Sequence, residues 1–174
     1  VTSRCDPYTG MRIFNSLAEY GLNEVCAGAN ARGRDPVRYL KAFGANLFLT
    51  ANENDARLAL AQGVPAALVY PRAGTFADPA DTELRVGYDF DGVLGTDESE
   101  RVTHKEGLEA YLRHEDKRRG LLMPPGPFKP VAMAFNRLRL AGANIHTGII
   151  TARVAPHNAR PVRSTDKWGI IIDE

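Results

Sequence analysis

Hydrophobic residues recur along this chain with two different spacings. Apolar side chains at helical spacing predict helices over 9–21, 35–44, 54–62, 104–114 and 131–142. Short apolar runs predict strands over 47–50, 64–70, 84–90, 145–151 and from 170 onward. Alternating strands and helices are typical of a parallel sheet with right-handed helical connections. The pattern therefore predicts an α/β fold in which helices flank a parallel sheet.

A stretch rich in proline, glycine, alanine and threonine interrupts this pattern at 71–83, and we interpret it as a linker. It separates an N-terminal half, 1–70, from a second half, 84–174. Thr-small-Arg, then a helix and an aromatic-Gly pair, occur twice, at 2–4 with 20–21 and at 151–153 with 168–169. This echo indicates two related α/β halves. Both ends of the chain fall inside predicted elements, so we expect a piece of a longer protein whose second half is truncated at its C-terminal end.

Composition and charge exclude several classes of protein. Hydrophobic residues make up 44% of the chain and charged residues 25%, which is typical of a folded globular domain. The 22 basic residues are offset by 21 acidic residues, without the basic excess of proteins that bind nucleic acid polymers. No apolar run reaches the ~18 residues of a membrane-spanning helix. We therefore expect neither nucleic acid nor membrane as a partner, and Cys5 and Cys26 are typical of reduced thiols in the cytoplasm.

The strongest candidates for chemistry are Asp89 and Asp91, which end a predicted buried strand just before Gly92. Ligands of α/β sheets bind at the carboxyl ends of strands. As the chain turns at Gly92, we expect the second carboxylate to swing beside the first. Such a pair suits phosphoryl transfer, with Asp89 attacking phosphorus and Asp91 protonating the leaving oxygen, then deprotonating water. A Mg²⁺ ion held by Asp89 and the Asp91 carbonyl would offset the repulsion between carboxylate and phosphate.

Asp-x-Asp-Gly also occurs in calcium loops and in solvated turns. A calcium loop needs an oxygen ligand at its fifth position and glycine at its sixth, where this chain has Val93 and Leu94. A solvated turn seldom follows a buried strand and leads into Gly-Val-Leu. The pattern therefore favours phosphoryl transfer over both alternatives.

The run Asp89–Leu94 resembles the first motif of the haloacid dehalogenase-like phosphohydrolases. Its extension to Val102, together with other segments, resembles the cytosolic 5'-nucleotidase I family. Those segments are 9–16, 39–45, 47–52, 107–111, 114–115, 126–129, 151–153 and 168–169. The resemblance implies a Rossmann-like parallel sheet with a degenerate N-terminal copy. It also implies Mg²⁺-dependent removal of the 5'-phosphate from nucleoside monophosphates.

The resemblance implies roles for individual residues. Asp89 corresponds to the nucleophile and Asp91 to the acid/base, and both correspond to metal ligands. Thr151 corresponds to a catalytic hydroxyl that holds a phosphate oxygen. The phosphate-binding residues are then Gly92, Thr151, Ala152 and Arg153. Taken alone, Thr151 also suits a helix N-cap, and Arg153 also suits a pair with a surface acid.

Other polar residues are weaker candidates. Asp97, Glu98 and Glu100 are typical of a solvated acidic face, and only the resemblance implies that they shape the site. The histidines show no metal-ligand spacing, so we interpret them as structural or exposed.

The chain departs from the family pattern in its third and fourth motifs. A lysine that steadies the aspartyl-phosphate and an acidic pair that completes the metal shell are both expected beyond Glu174. Lys41 and Thr50–Asn52 stand in similar places in the N-terminal half, but Ala51 and Asn52 offer no carboxylate. Two other functions therefore stay open: a noncatalytic member serving as a binding or assembly subunit, and phosphotransfer to an alcohol in place of water. The sequence also leaves open a homo-oligomer or a larger assembly.

Overall fold

The computed structural model describes residues 7–24, 34–70 and 80–174. The chain divides into two compact units, Val1–Pro71 and Arg72–Glu174. This boundary falls within the stretch that composition marks as a linker, although residues 71–79 lie outside the described residues. In the described part of the chain, no helix is long and apolar enough to cross a membrane.

The N-terminal unit contains a two-stranded parallel sheet. Its elements are α1 (Pro7–Glu19), α2 (Val37–Leu40), β1 (Phe48–Thr50), α3 (Glu53–Ala61) and β2 (Ala66–Leu68). β1 pairs with β2 in parallel, and α3 connects them. α3 begins at Glu53 because the Asn52 side chain accepts a hydrogen bond from the Asp55 N–H at 3.1 Å. The buried apolar cluster of this unit includes Val37 and Leu40.

The second unit contains the strand that carries the two aspartates. Its elements are β3 (Leu84–Asp89), α4 (Glu98–Glu106), α5 (Leu108–Arg118), α6 (Lys129–Leu140), β4 (Ile145–Ile150) and α7 (Ala159–Lys167). β3 and β4 pair in parallel, with Leu84 opposite Ile145 and Asp89 opposite Ile150. Both strands therefore end at the same edge of the sheet. Parallel strands with flanking helices confirm the predicted fold class.

The last residues of the chain run beside β4. The Asp173 N–H donates to the Thr147 carbonyl at 2.8 Å, and the Glu174 carbonyl accepts from the Ile149 N–H at 2.8 Å. The Thr147 N–H donates to the Asp173 carboxylate at 2.9 Å. The strand predicted from 170 is therefore wrong: residues 170–174 form no regular strand, because the Asp173 side chain takes a hydrogen bond that a strand backbone would otherwise accept.

The single helix predicted over 104–114 is wrong. The chain forms α4 and α5 there, and Gly107 separates them with a φ of 84°. A residue in this left-handed conformation cannot continue an α-helix, and glycine adopts it at the least cost. The apolar spacing of Leu108, Tyr111 and Leu112 indicated helix after Gly107 but did not show the break.

The loop that follows β3 is held by a buried aromatic ring and by two closely packed glycines. The buried Phe90 ring stacks on Trp168 with centroids 6.4 Å apart. A Cβ at Gly95 would lie 2.7 Å from the Phe90 ring, and a Cβ at Gly126 would collide with the carbonyl oxygens of Val93 and Gly95. The segment at Gly126 thus crosses the segment at Gly95 so closely that only glycine fits at both positions. This backbone crossing fixes the direction in which the chain leaves β3.

Candidate functional site

A pocket of about 410 Å³ opens where β3 and β4 end. Its volume lies within the range of ~300–1,000 Å³ that is usual for small-molecule sites. The ends of both strands and the α4–α5 pair contribute its lining. The lining residues are Asp89, Asp91, Ser99, Glu100, Thr103, His104, Leu108, Tyr111, Thr151, Ala152 and Arg153. The structure thus brings together five of the six residues that the sequence singles out, and Gly92 is the one outside the lining.

Asp89 ends β3 with its side chain at the pocket. Its Oδ1 accepts a hydrogen bond from the Phe90 N–H at 2.7 Å. No bond from the described residues reaches its Oδ2. After Asp89 the backbone stays extended at Asp91 and then turns at Gly92, where φ is 75° and ψ is −3°. This turn places both aspartates on one pocket, as the sequence predicts.

Asp91 is bound by Arg153 through both of its carboxylate oxygens. Arg153 Nη2 donates to Oδ1 at 2.6 Å and Nε donates to Oδ2 at 2.8 Å. This is the parallel two-bond geometry in which guanidinium recognises carboxylate most strongly. Arg153 therefore pairs with a predicted site residue and not with a surface acid.

Thr151 lies immediately after β4 and lines the pocket beside Ala152. Its Oγ1 accepts a hydrogen bond from the Arg153 N–H at 3.2 Å. Because that bond uses an oxygen lone pair, the hydroxyl hydrogen stays available to donate. Thr151 is not a helix N-cap, since the following helix α7 has Asn158 at that position.

Glu115 and Arg160 were not predicted as site residues, yet both connect to Arg153. Glu115 Oε2 accepts from Arg153 Nη1 at 2.6 Å, and Oε1 accepts from Arg160 Nη1 at 3.0 Å. The Ser99 hydroxyl donates to the same Oε1 at 2.6 Å. A signal was present in the sequence, because Leu108, Tyr111 and Glu115 are spaced to share one helix face. A carboxylate on a partly apolar face indicates a buried partner.

The acidic residues at the start of α4 have separate surroundings. Glu98 Oε1 accepts from Arg160 Nη2 at 2.7 Å, and its side chain is 23% exposed. Glu100 lines the pocket, whereas Asp97 makes an exposed contact with Arg101 at 3.3 Å. Glu98 is therefore part of a partly buried pairing, and the interpretation as a uniformly solvated face is wrong for it.

The buried charges of Glu115 and Arg153, behind the pocket, stabilise each other's ionised form. Burial opposes ionisation of Glu115, but the Ser99 hydrogen bond and the neighbouring Arg153 and Arg160 hold its pKa below the usual value. Burial likewise disfavours the Arg153 cation, but hydrogen bonds to Asp91 and Glu115 raise its pKa further. Both groups are therefore charged at neutral pH, and each compensates the other.

The described residues at the pocket include oxygen donors of the kind that Mg²⁺ prefers. Mg²⁺ is usually bound through one or two carboxylates, with waters and substrate phosphates completing its shell. The Asp89 carboxylate and the Asp91 main-chain carbonyl fit that donor chemistry, but Arg153 occupies both oxygens of the Asp91 side chain. In the described ranges, no group of three or more His, Cys, Asp or Glu side chains is placed to hold a metal ion.

Comparison with known proteins identifies related sequences. The whole chain, residues 1–174, matches the family described as 5'-nucleotidase. Human cytosolic 5'-nucleotidase 1B is 33% identical over 176 aligned residues, which cover 95% of this chain and 28% of the human protein. No solved structure matches the chain. These matches confirm the resemblance that the motifs indicate: the chain belongs to the 5'-nucleotidase family.

Proposed function

We propose that this chain is part of a cytoplasmic enzyme that hydrolyses nucleoside 5'-monophosphates, using Mg²⁺ and an aspartyl-phosphate intermediate. The observation that supports it most is the set of groups on one pocket: the Asp89 carboxylate, the Asp91–Arg153 pair and the Thr151 hydroxyl. The name of the human relative, a cytosolic 5'-nucleotidase, agrees with this substrate class and location.

In the first step, Asp89 Oδ2 attacks phosphorus and the bond from phosphorus to the substrate's O5' breaks. This step requires Asp91 to be protonated when it begins; Asp91 then gives that proton to O5', so the nucleoside leaves as an alcohol. In the second step Asp91 takes a proton from water, whose oxygen attacks phosphorus and releases phosphate from Asp89. Both oxygens of the Asp91 carboxylate accept hydrogen bonds from Arg153, so one of those hydrogen bonds must break when Asp91 gives or takes the proton.

Thr151 and its neighbours orient the phosphate. The Thr151 hydroxyl donates to one phosphate oxygen while its own oxygen keeps the bond to the Arg153 N–H. The Arg153 guanidinium has five N–H donors, of which Asp91 and Glu115 take three. One N–H group on each Nη atom remains, and the guanidinium would place its positive charge beside the phosphate.

The Asp89 carboxylate and the Asp91 carbonyl would hold Mg²⁺. When bound, the ion neutralises negative charge on the phosphate and so allows an anionic nucleophile to approach. The family's lysine and additional acidic residues would complete this arrangement in the complete protein.

The nucleoside part of the substrate would lie against the α4–α5 wall of the pocket. Leu108 and Tyr111 offer apolar and aromatic surface there, and His104 offers a polar ring. Burial raises the pKa of Tyr111, so its hydroxyl stays protonated at neutral pH. This wall suits a flat base better than a second charged group.

The test is phosphate release from nucleoside monophosphates by the complete protein carrying Asp89→Asn. We expect turnover to fall by orders of magnitude with an unchanged melting temperature, because a neutral amide cannot form the aspartyl-phosphate. Asp166→Asn, at an exposed position on α7, is the matched control and should keep full activity. EDTA should abolish turnover and added Mg²⁺ should restore it. Near-native turnover in Asp89→Asn would refute the covalent mechanism.

A noncatalytic binding subunit is the second candidate. The observation that favours it is the double hydrogen bond from Arg153 to Asp91, which leaves no free oxygen for proton transfer in this arrangement. A complete protein that binds nucleoside monophosphates but releases no phosphate with Mg²⁺ would select this function.

A further inference from the structure

A buried group of charged residues lies behind the pocket, and the proposed reaction uses only part of it. We call Glu98, Ser99, Glu115, Arg153 and Arg160 the charged cluster. The side chain of Glu115 is 1% exposed, and those of Arg153 and Arg160 are each 3% exposed. Charges buried to this degree cost several kcal/mol unless they are well paired. The fold therefore holds these residues in a closely defined arrangement.

Glu115 is the centre of the charged cluster. Its two oxygens accept from Arg153, Arg160 and Ser99, at 2.6, 3.0 and 2.6 Å. These partners belong to different parts of the unit: Ser99 to α4, Arg160 to α7 and Arg153 to the segment after β4. One side chain on α5 thus joins three other segments near the pocket.

The orientation of Arg153 follows from this arrangement. A guanidinium is a rigid plane, so fixing one edge directs the other. Glu115 holds Nη1, and Asp91 meets Nε and Nη2. The rings of Phe90 and Tyr111 lie 6.0 and 5.8 Å from the guanidinium carbon, which further limits its rotation.

We propose that Glu115 is a positioning residue that holds Arg153 in the orientation that places the Asp91 carboxylate at the pocket. Arg160 supports it by binding the other Glu115 oxygen. Glu115 itself is not among the pocket-lining residues; of the two pocket-lining residues that it contacts, Ser99 and Arg153, Arg153 is the one that binds Asp91. The inference rests on the proposed function, because the readout is phosphate release.

The first experiment measures kcat and KM for Glu115→Gln in the complete protein. Loss of a supporting group behind a site typically lowers activity about 10- to 100-fold. We expect that fall in kcat, with little change in KM, because no group that touches the substrate is removed. Glu109→Gln is the matched control on the same helix, since the Glu109 side chain is 91% exposed and lies 3.6 Å from Arg113. It should leave both constants unchanged.

The second experiment separates positioning from simple stabilisation. If Glu115 acts through Arg153, then adding Glu115→Gln to Arg153→Lys should lower kcat much less than it does in the wild-type background. A purely structural role would lower the melting temperature in both backgrounds and leave kcat unchanged well below that temperature. Additive effects on kcat, or an unchanged kcat in a folded Glu115→Gln variant, would overturn the proposal.

A third variant covers the case in which Glu115→Gln does not fold. Glu98→Gln weakens the bond to Arg160 and the 4.0 Å contact with His114, at a side chain that is partly exposed. It should lower kcat in the same direction by a smaller factor, and an unchanged kcat would overturn the proposal. Absence of phosphate release from the wild-type protein would instead refute the proposed function, so the two failures are distinguishable.

Discussion

Gly92 decides where the second carboxylate of the pair lies. Its φ of 75° is in the left-handed region, and the chain turns there directly after Asp91. A Cβ at this position would meet only the Asp97 Cβ, at an ordinary contact distance of 3.7 Å. The requirement for glycine is therefore one of backbone conformation and not of space.

Gly92→Ala should destabilise the protein by about 1–2 kcal/mol, which is the cost of a left-handed conformation for a residue with a Cβ. It should also lower phosphate release, because any relief of that strain moves the Asp91 carboxylate. Urea denaturation and a phosphate assay check both effects. Gly120→Ala is the matched control, since Gly120 has no atom within 4 Å of an added Cβ and no left-handed φ. Equal stability of the two variants would contradict the argument.

At the scale of elements, α4 and α5 supply one wall of the pocket and three of the five residues of the charged cluster. The sequence predicted helix over 104–114 but not the break at Gly107, because the apolar positions behind that prediction, Leu108, Tyr111 and Leu112, all follow the glycine and carry no information about the residues before it. The burial of Glu115 and the partial burial of Glu98 were also not predicted. Acidic residues are usually exposed, and their arginine partners lie more than 35 residues away in sequence.

Asp173 attaches the last segment of the chain to β4 and α6. Arg139 on α6 donates to both carboxylate oxygens, at 2.6 and 2.7 Å, and the Thr147 N–H donates at 2.9 Å. The Arg139 hydrogen bonds and then the Thr147 N–H lower the pKa of Asp173 far below its usual value. His146 also lies 3.9 Å from this carboxylate.

This pairing predicts an acid-dependent loss of stability. A carboxylate whose pKa is lower in the folded state stabilises the protein above its unfolded pKa of about 3.9, and that stability is lost as the pH falls toward the folded value. Asp173→Asn should therefore melt below the wild type near neutral pH, and the difference should shrink below about pH 4. Melting curves from pH 7 to pH 3 measure it. A difference independent of pH would contradict an ionic origin.

At the scale of the whole molecule, two separate buried apolar clusters lie among the residues that the structure describes. One cluster in the N-terminal unit includes Leu40, which is 2% exposed, and the other surrounds Phe90 in the second unit. The residues proposed for the reaction all belong to the second unit. Stability of the first unit and chemistry of the second are therefore separate measurable quantities.

Leu40→Ala should destabilise the N-terminal unit by about 2–5 kcal/mol, because it removes a buried side chain and leaves a cavity. Phosphate release by the complete protein, measured well below the melting temperature, should stay near the wild-type value. Leu49→Ala is the matched control, since Leu49 on β1 is 59% exposed. A large loss of activity in folded Leu40→Ala would show that the N-terminal unit contributes to the reaction.

The sequence predicted the α/β class and the meeting of Asp89, Asp91 and Thr151, because strand ends in a parallel sheet share an edge. It did not predict that Arg153 would hold both oxygens of Asp91, since that pairing depends on how the segment after β4 returns to β3. Local patterns thus located the carboxylates. Their partners were decided by contacts between residues far apart in the chain.

The backbone crossing at Gly95 and Gly126 also bears on how this sequence can diverge. A side chain at Gly95 would collide with the Phe90 ring, and one at Gly126 would collide with carbonyl oxygens. Neither glycine can therefore be replaced, even if the surrounding residues change. A distant homologue that retains this crossing must keep both glycines at the same spatial positions. Gly95 and Gly126 can therefore be used to align divergent relatives, independently of the residues that perform the chemistry.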